Sequence, residues 1–160
     1  MIVNHTLERV HSKDSTLLIL GSFPSVKSRE NNFYYMHPQN RFWKVLANVF
    51  NDDFTNPDIL VKMELLKKHH ISLYDVVEKC TINGSSDSSL KVIEYSDIAY
   101  FINSSKINKI ILNGKLAYNL FIKRYPEYEK ISYYLPSTSP ANARFTLEKL
   151  IEEFEKIINL

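Results

Sequence analysis

Apolar residues in this chain fall into two kinds of run. Leu17-Leu18-Ile19-Leu20 is short, continuous and stopped by Gly21, the pattern of a strand buried on both faces and ended by a turn. The stretch from Ile107 to Leu112 (INKIIL) repeats it ahead of Asn113-Gly114, and the stretches from Ile71 to Val77 and from Ile131 to Leu135 predict two more strands. Elsewhere the spacing is helical. Phe42, Val45, Leu46 and Val49 draw an apolar stripe along a helix from Arg41 to Phe50, with Asn40 where an N-cap belongs. Further helices are predicted over 57–69, 97–104 and 115–124, and an amphipathic helix runs from beyond Asn142 to about Ile158. Between Gly21 and Asn40 prolines, polar residues and aromatics follow no period, which predicts a long loop over the sheet edge whose aromatic density argues against disorder. The run NGSSDSS, Asn83 to Ser89, is a second breaker.

Buried strands alternating with helices predict a three-layer α/β/α fold with a central, mostly parallel four-stranded sheet, in one domain over 1–160. Right-handed crossovers bring the strand-to-helix loops to one edge, where ligands bind in such sheets. Three segments converge there: Gly21 to Asn40, Asn113 with Gly114, and Pro136 to Arg144.

Composition narrows the chemistry. With 44% hydrophobic and 24% charged residues the chain has the balance of a globular protein rather than a disordered one, and no stretch approaches a membrane span. The N-terminus shows no signal peptide, so a cytoplasmic location is expected. A net charge of +2 gives no global pull on nucleic acid, so a DNA site must be local. Lys27, Arg29, Arg41 and Lys44 gather around the aromatic loop, while Glu148, Glu152, Glu153 and Glu155 gather near the end of the chain. Cys80 is the single cysteine, and His5, His11, His37, His69 and His70 lack metal-ligand spacing, so neither a metal nor a cofactor is expected.

Candidate chemistry lies in the converging loops. His37 offers an imidazole that suits a proton donor, or it anchors the loop. Asn113 has donor and acceptor groups that could read the edge of a ligand, with a turn-forming Asn-Gly as the competing explanation. Ser137, Thr138 and Ser139, with their backbone amides ahead of a helix, form a natural cradle for phosphate. The bland alternative is a Pro-rich connection in which Asn142 caps the last helix. Asp87 is either a loop-stabilising carboxylate or a pocket residue, and Trp43 with Phe42, Phe50 and Phe54 reads as core packing.

The first loop, GSFPSVKSRENNFYYMHPQNRFWK, combines a Gly-x-x-Pro turn, a spacer, an aromatic and HPxNxFW. It resembles the first motif of the uracil-DNA glycosylase superfamily in its mismatch-specific and hypoxanthine-excising branches. LPSTSPANAR, from Leu135 to Arg144, is similar to the second motif in the form used by the hypoxanthine-DNA glycosylases, called family 6. LYDVVEKCTINGSSDSSLK and IILNGKLAY resemble further blocks of that branch, so the resemblance covers most of the chain from Leu17 to the last helix.

The resemblance implies a monomeric, monofunctional DNA glycosylase that acts on DNA containing a deaminated base and leaves an abasic site. Such an enzyme rotates the nucleotide out of the duplex into a pocket. Tyr35 would stack on the extruded base, worth about 1–3 kcal/mol on a stacking platform, and Gly21, Ser22 and Phe23 would line the base site. Ala141, Asn142, Ala143 and Arg144 would enter the gap left in the stack or touch the opposite strand. Members with a Gly-x-Asn-Pro turn use its asparagine to hold the attacking water; here that position is Phe23, a departure that matches the family 6 pattern, in which the HPxN asparagine, Asn40, is catalytic. No lysine stands in either motif core to form a Schiff base. Two other readings stay open: a uracil or G·U mismatch glycosylase, and a flavodoxin-like nucleotide-binding module without catalysis, against which the lack of GxGxxG and P-loop signatures weighs.

Overall fold

The computed structural model describes residues 1–160. Its elements in chain order are β1 (Ile2–Asn4), β2 (Leu17–Gly21), α1 (Val26–Asn31), α2 (Phe42–Phe50), α3 (Ile59–Lys68), β3 (Ile71–Asp75), β4 (Val77–Thr81), β5 (Lys91–Tyr95), α4 (Ile98–Asn103), β6 (Lys109–Asn113), α5 (Lys115–Arg124), β7 (Ser132–Leu135) and α6 (Leu147–Ile158). The α/β architecture follows the sequence expectation: a four-stranded sheet in the order β3-β2-β6-β7, parallel at every pairing, with helices flanking it. β2 and β3 are buried at every residue, because a parallel sheet covered on both faces leaves no polar side.

Three expectations need correction. The stretch from Gly21 to Asn40 is not all loop: Ser25 caps α1 by accepting from the Ser28 amide, and Asn32, with φ 55°, ends it in a left-handed conformation. The predicted strand from Ile71 to Val77 is two strands in two sheets. At Val76 the chain bends away from the parallel sheet, the Val76 and Val77 amides donating to the Gly21 and Ser22 carbonyls. β4 then pairs antiparallel with β1 and β5 in a three-stranded sheet that periodicity did not reveal. Finally, Thr146, not Asn142, caps α6, its side chain accepting from the Lys149 amide.

One continuous core runs through the molecule. Phe42, Val45 and Leu46 of α2 are fully buried, as are Leu150 and Phe154 of α6, and α2 packs against α6. Trp43 and Phe54 are core as expected, while Phe50 is only half-buried. No helix is long and apolar enough to cross a membrane.

Candidate active site

The carboxyl ends of β2, β3, β6 and β7 open onto a cavity of about 450 Å³, within the range of roughly 300–1,000 Å³ usual for small-ligand sites. It collects the expected catalytic residue Asn40; Gly21, Ser22, Phe23, Tyr35 and Asn113 from the expected base site; and Ser137, Thr138, Ser139, Asn142 and Arg144 from the second motif. His37 is the exception. It lies outside the cavity, and its Nδ1 accepts from the Gln39 amide 3.1 Å away, so it anchors the turn rather than facing a base.

Asn40 stands just before α2. Its Oδ1 accepts from the Phe42 amide (2.9 Å) and from the Thr138 hydroxyl (2.8 Å). A backbone amide can only donate, so it fixes the carbonyl end of Asn40 inward and leaves Nδ2 as the free end. Asn113, at the end of β6, grips Thr138 twice: Nδ2 donates to Oγ1 (3.1 Å) and Oδ1 accepts from the Thr138 amide (3.1 Å). The hydroxyl of Thr138 therefore receives from Asn113 and gives to Asn40, one directed chain across the wall of the cavity. Asn113 is thus more than a turn residue, although Gly114, with φ 106°, does make the turn, and a Cβ there would lie 3.2 Å from Ser137 Cβ.

Arg41 secures the same wall from behind. Its guanidinium donates to the carbonyls of Ser139 (2.9 Å), Asn142 (3.1 Å) and Phe145, and its backbone amide to Thr138 O (3.1 Å). The Asn142 side chain closes the loop by donating to Ser137 O (3.0 Å). Two of the three amides expected to cradle phosphate are already engaged. The amides of Thr138 and Ser139 are spent on Asn113 Oδ1 and Ser137 Oγ, and α6 begins only at Leu147. Arg29 is also internal, donating to the Pro24 and Gly84 carbonyls with its guanidinium 5.6 Å from the Phe23 ring centroid. Arg144 and Lys115 remain exposed on the cavity rim, where a phosphate backbone could be met.

The floor was only partly foreseen. Tyr35 sits at φ 55°, a left-handed conformation that costs a bulky residue of order 1–3 kcal/mol. It lays the ring on Phe42, with centroids 3.8 Å apart and planes 18° from parallel. Its hydroxyl is buried without a hydrogen-bond partner. Burial first, then the nearby Asp75 charge, raise the phenol pKa far above its usual value, and the Asn113 amide close by opposes the rise without bonding at good geometry.

Asp75, to which no sequence pattern assigns a role, ends β3 beside Gly21 and lines the cavity. It is 4% exposed, and its Oδ2 accepts from His5 Nε2 at 2.8 Å. A single carboxylate closing an apolar strand of a parallel sheet was the available signal. Asp87 also lines the cavity, at its rim, where partial loss of solvation raises its carboxyl pKa. No group of three or more His, Cys, Asp or Glu residues is placed to hold a metal.

Comparison with known proteins agrees with this geometry. A family described as the uracil DNA glycosylase superfamily matches residues 9–159. The chain is 31% identical over 140 residues to a hypoxanthine DNA glycosylase of Methanosarcina acetivorans, covering 86% of this chain and 87% of that one. It is 30% identical over 138 residues to a hypoxanthine DNA glycosylase of Methanosarcina barkeri, covering 84% and 85%. The solution NMR structure of a candidate uracil DNA glycosylase from Methanosarcina acetivorans superimposes with a TM-score of 0.82 at 27% identity, over 99% of each chain. A family match of this extent means that the chain belongs to the uracil DNA glycosylase superfamily.

Proposed function

We propose that this protein hydrolyses the N-glycosidic bond of deoxyinosine in DNA, releasing hypoxanthine and leaving an abasic site. Superfamily membership carries the coarser statement, removal of a deaminated base from DNA. The finer one rests on Asn40: of the two asparagine positions that serve this chemistry in the resemblance, position 23 holds Phe23, whereas position 40 keeps its amide and lines the cavity. The names of the two Methanosarcina relatives support the same substrate.

The sugar passes through an oxocarbenium-like state in which positive charge builds on the anomeric carbon and negative charge on the departing base. Such a carbon is electrophilic enough that the attacking water needs aim rather than prior ionisation. Asn40 supplies the aim. With Oδ1 tied to Thr138 and Phe42, its Nδ2 projects a fixed donor that holds the water oxygen. Tyr35, braced by Phe42, takes the extruded base against its ring. Lys115 and Arg144 on the rim meet the flanking phosphates.

The test is direct. Labelled duplexes containing one deoxyinosine or one deoxyuridine are incubated with the protein and then treated with alkali to break abasic sites. The expected result is strand breakage at deoxyinosine well in excess of deoxyuridine. An intact deoxyinosine strand at high enzyme excess refutes the proposal, and faster release of uracil moves the protein to the uracil-excising branch.

A further inference from the structure

The cavity floor carries a carboxylate oxygen that the proposed reaction does not use. Asp75 Oδ2 is held by His5 Nε2, and the imidazole is in turn walled by Phe23, Tyr34 and Tyr74 at 6.1, 6.2 and 4.2 Å between ring centroids. Oδ1 takes no hydrogen bond from the protein, yet it is not among the polar atoms sealed from solvent, so it faces the cavity that Asp75 lines. Room for it exists because position 21 is glycine: a Cβ there would lie 2.6 Å from Oδ1 and 3.2 Å from the Tyr35 hydroxyl. A nearly buried carboxylate with one oxygen unpaired is costly to keep unless a ligand completes it.

Strand register frames that oxygen. Gly21 pairs with Asp75 on one side, and on the other Asn113 follows Leu112, the partner of Leu20. Neighbouring strands lie about 4.8 Å apart, so Asp75 and Asn113 flank a gap of about 10 Å in which Gly21 places no side chain. The hydroxyl end of Tyr35 points into the same floor, so a base stacked along its ring directs an edge there. Asn113 Nδ2 has one hydrogen committed to Thr138 and one left over.

An ionised carboxylate only accepts hydrogen bonds. Deamination changes a base in the matching way: adenine N1 and cytosine N3 carry lone pairs, whereas hypoxanthine N1 and uracil N3 carry hydrogen, with a carbonyl replacing the neighbouring amine. We propose that Asp75 Oδ1 accepts the ring N–H of the flipped-out base, N1–H of hypoxanthine, and is the residue that excludes adenine; this rests on the glycosylase reading above. The spare Asn113 N–H meets the adjacent carbonyl. A fixed negative charge does not help a base that leaves with negative charge, so Asp75 selects the base and does not drive bond breaking.

Wild type and Asp75→Asn are assayed on duplexes containing deoxyinosine, 1-methyldeoxyinosine or 2′-deoxynebularine, whose purine has a bare N1 and no carbonyl. Wild type is expected to lose on the order of 10²-fold or more on both analogues, as sites built around a substrate N–H do. Asp75→Asn should lose about 10-fold or more on deoxyinosine while holding or gaining on deoxynebularine. Equal losses on both substrates, or no loss on deoxyinosine, overturn the proposal. Should the variant fail to fold, the wild-type arm still decides, because cleavage of 1-methyldeoxyinosine or deoxynebularine at a rate comparable to deoxyinosine also overturns it. Wild type that leaves deoxyinosine uncut removes the glycosylase reading itself, a different and recognisable outcome.

Discussion

The two sides of the cavity differ in how their polar atoms are paired. On the wall, Asn113, Thr138, Asn40 and the Phe42 amide form one directed chain whose buried oxygens are all engaged, and Arg41 fastens the loop behind it through backbone carbonyls. On the floor, the Tyr35 hydroxyl and His5 Nδ1 are buried with no partner, and Asp75 Oδ1 accepts nothing. Native interiors pair nearly all buried polar groups, so two orphans beside one carboxylate mark a region kept incomplete by the fold. A satisfied network is rigid and can aim a group, whereas an unsatisfied one holds interaction energy for whatever enters. The wall is accordingly where chemistry is positioned, and the floor is where a ligand is read.

The largest effect that can break this comparison is on the wall. Asn40→Ala deletes the aiming amide and leaves the Thr138 hydroxyl and Phe42 amide without their acceptor. Base release in single-turnover assays is expected to fall on the order of 10²-fold or more, with a stability loss of about 1–2 kcal/mol for the stranded donors. A variant within about 10-fold of wild type would show that the wall only supports the loop, since losing one preorganised donor costs more than that. Thr138→Val comes next. It keeps the shape but breaks the chain between Asn113 and Asn40, so Asn40 stays present and loses one of its two anchors. The expected result is roughly a 10-fold lower kcat with KM little changed, because a misaimed donor costs transition-state stabilisation and not base binding. An equal rise in KM would place Thr138 in base binding instead.

How these regions could be read from the sequence differs for a physical reason. Buried parallel strands are written as apolar runs, so β2 and β6 and the loops that follow them were predictable, and with them Asn40 and Asn113. The antiparallel sheet was not, because β4 and β5 have mixed burial in short segments, and β1 is three residues long. Missing it meant missing His5, which follows β1 and arrives at Asp75 from 70 residues away. The helix α1 hid inside a loop because its single buried position, Ser28, is polar and breaks no pattern. The Ser-Thr-Ser run looked like a phosphate cradle because sequence shows amides but not whether they are already spent on neighbouring side chains.

The smallest expected effect sharpens the comparison most. Tyr35→Phe removes only a hydroxyl that has no partner, and it preserves the ring stacked on Phe42. Had the hydroxyl been satisfied, its loss would cost about 1 kcal/mol and strand a neighbour. Because it is an orphan, the folded state gives up nothing, and removing the desolvation cost leaves stability equal or higher by up to about 1 kcal/mol in denaturant unfolding. Base stacking survives, so deoxyinosine cleavage should stay within about 3-fold of wild type, whereas a lost stacking platform costs about 1–3 kcal/mol. A clear drop in stability would mean that the hydroxyl is paired in solution, most directly with Asp75, whose charge already raises its pKa. That outcome would also fill Oδ1 from within the protein and take from the floor the acceptor that base selection requires.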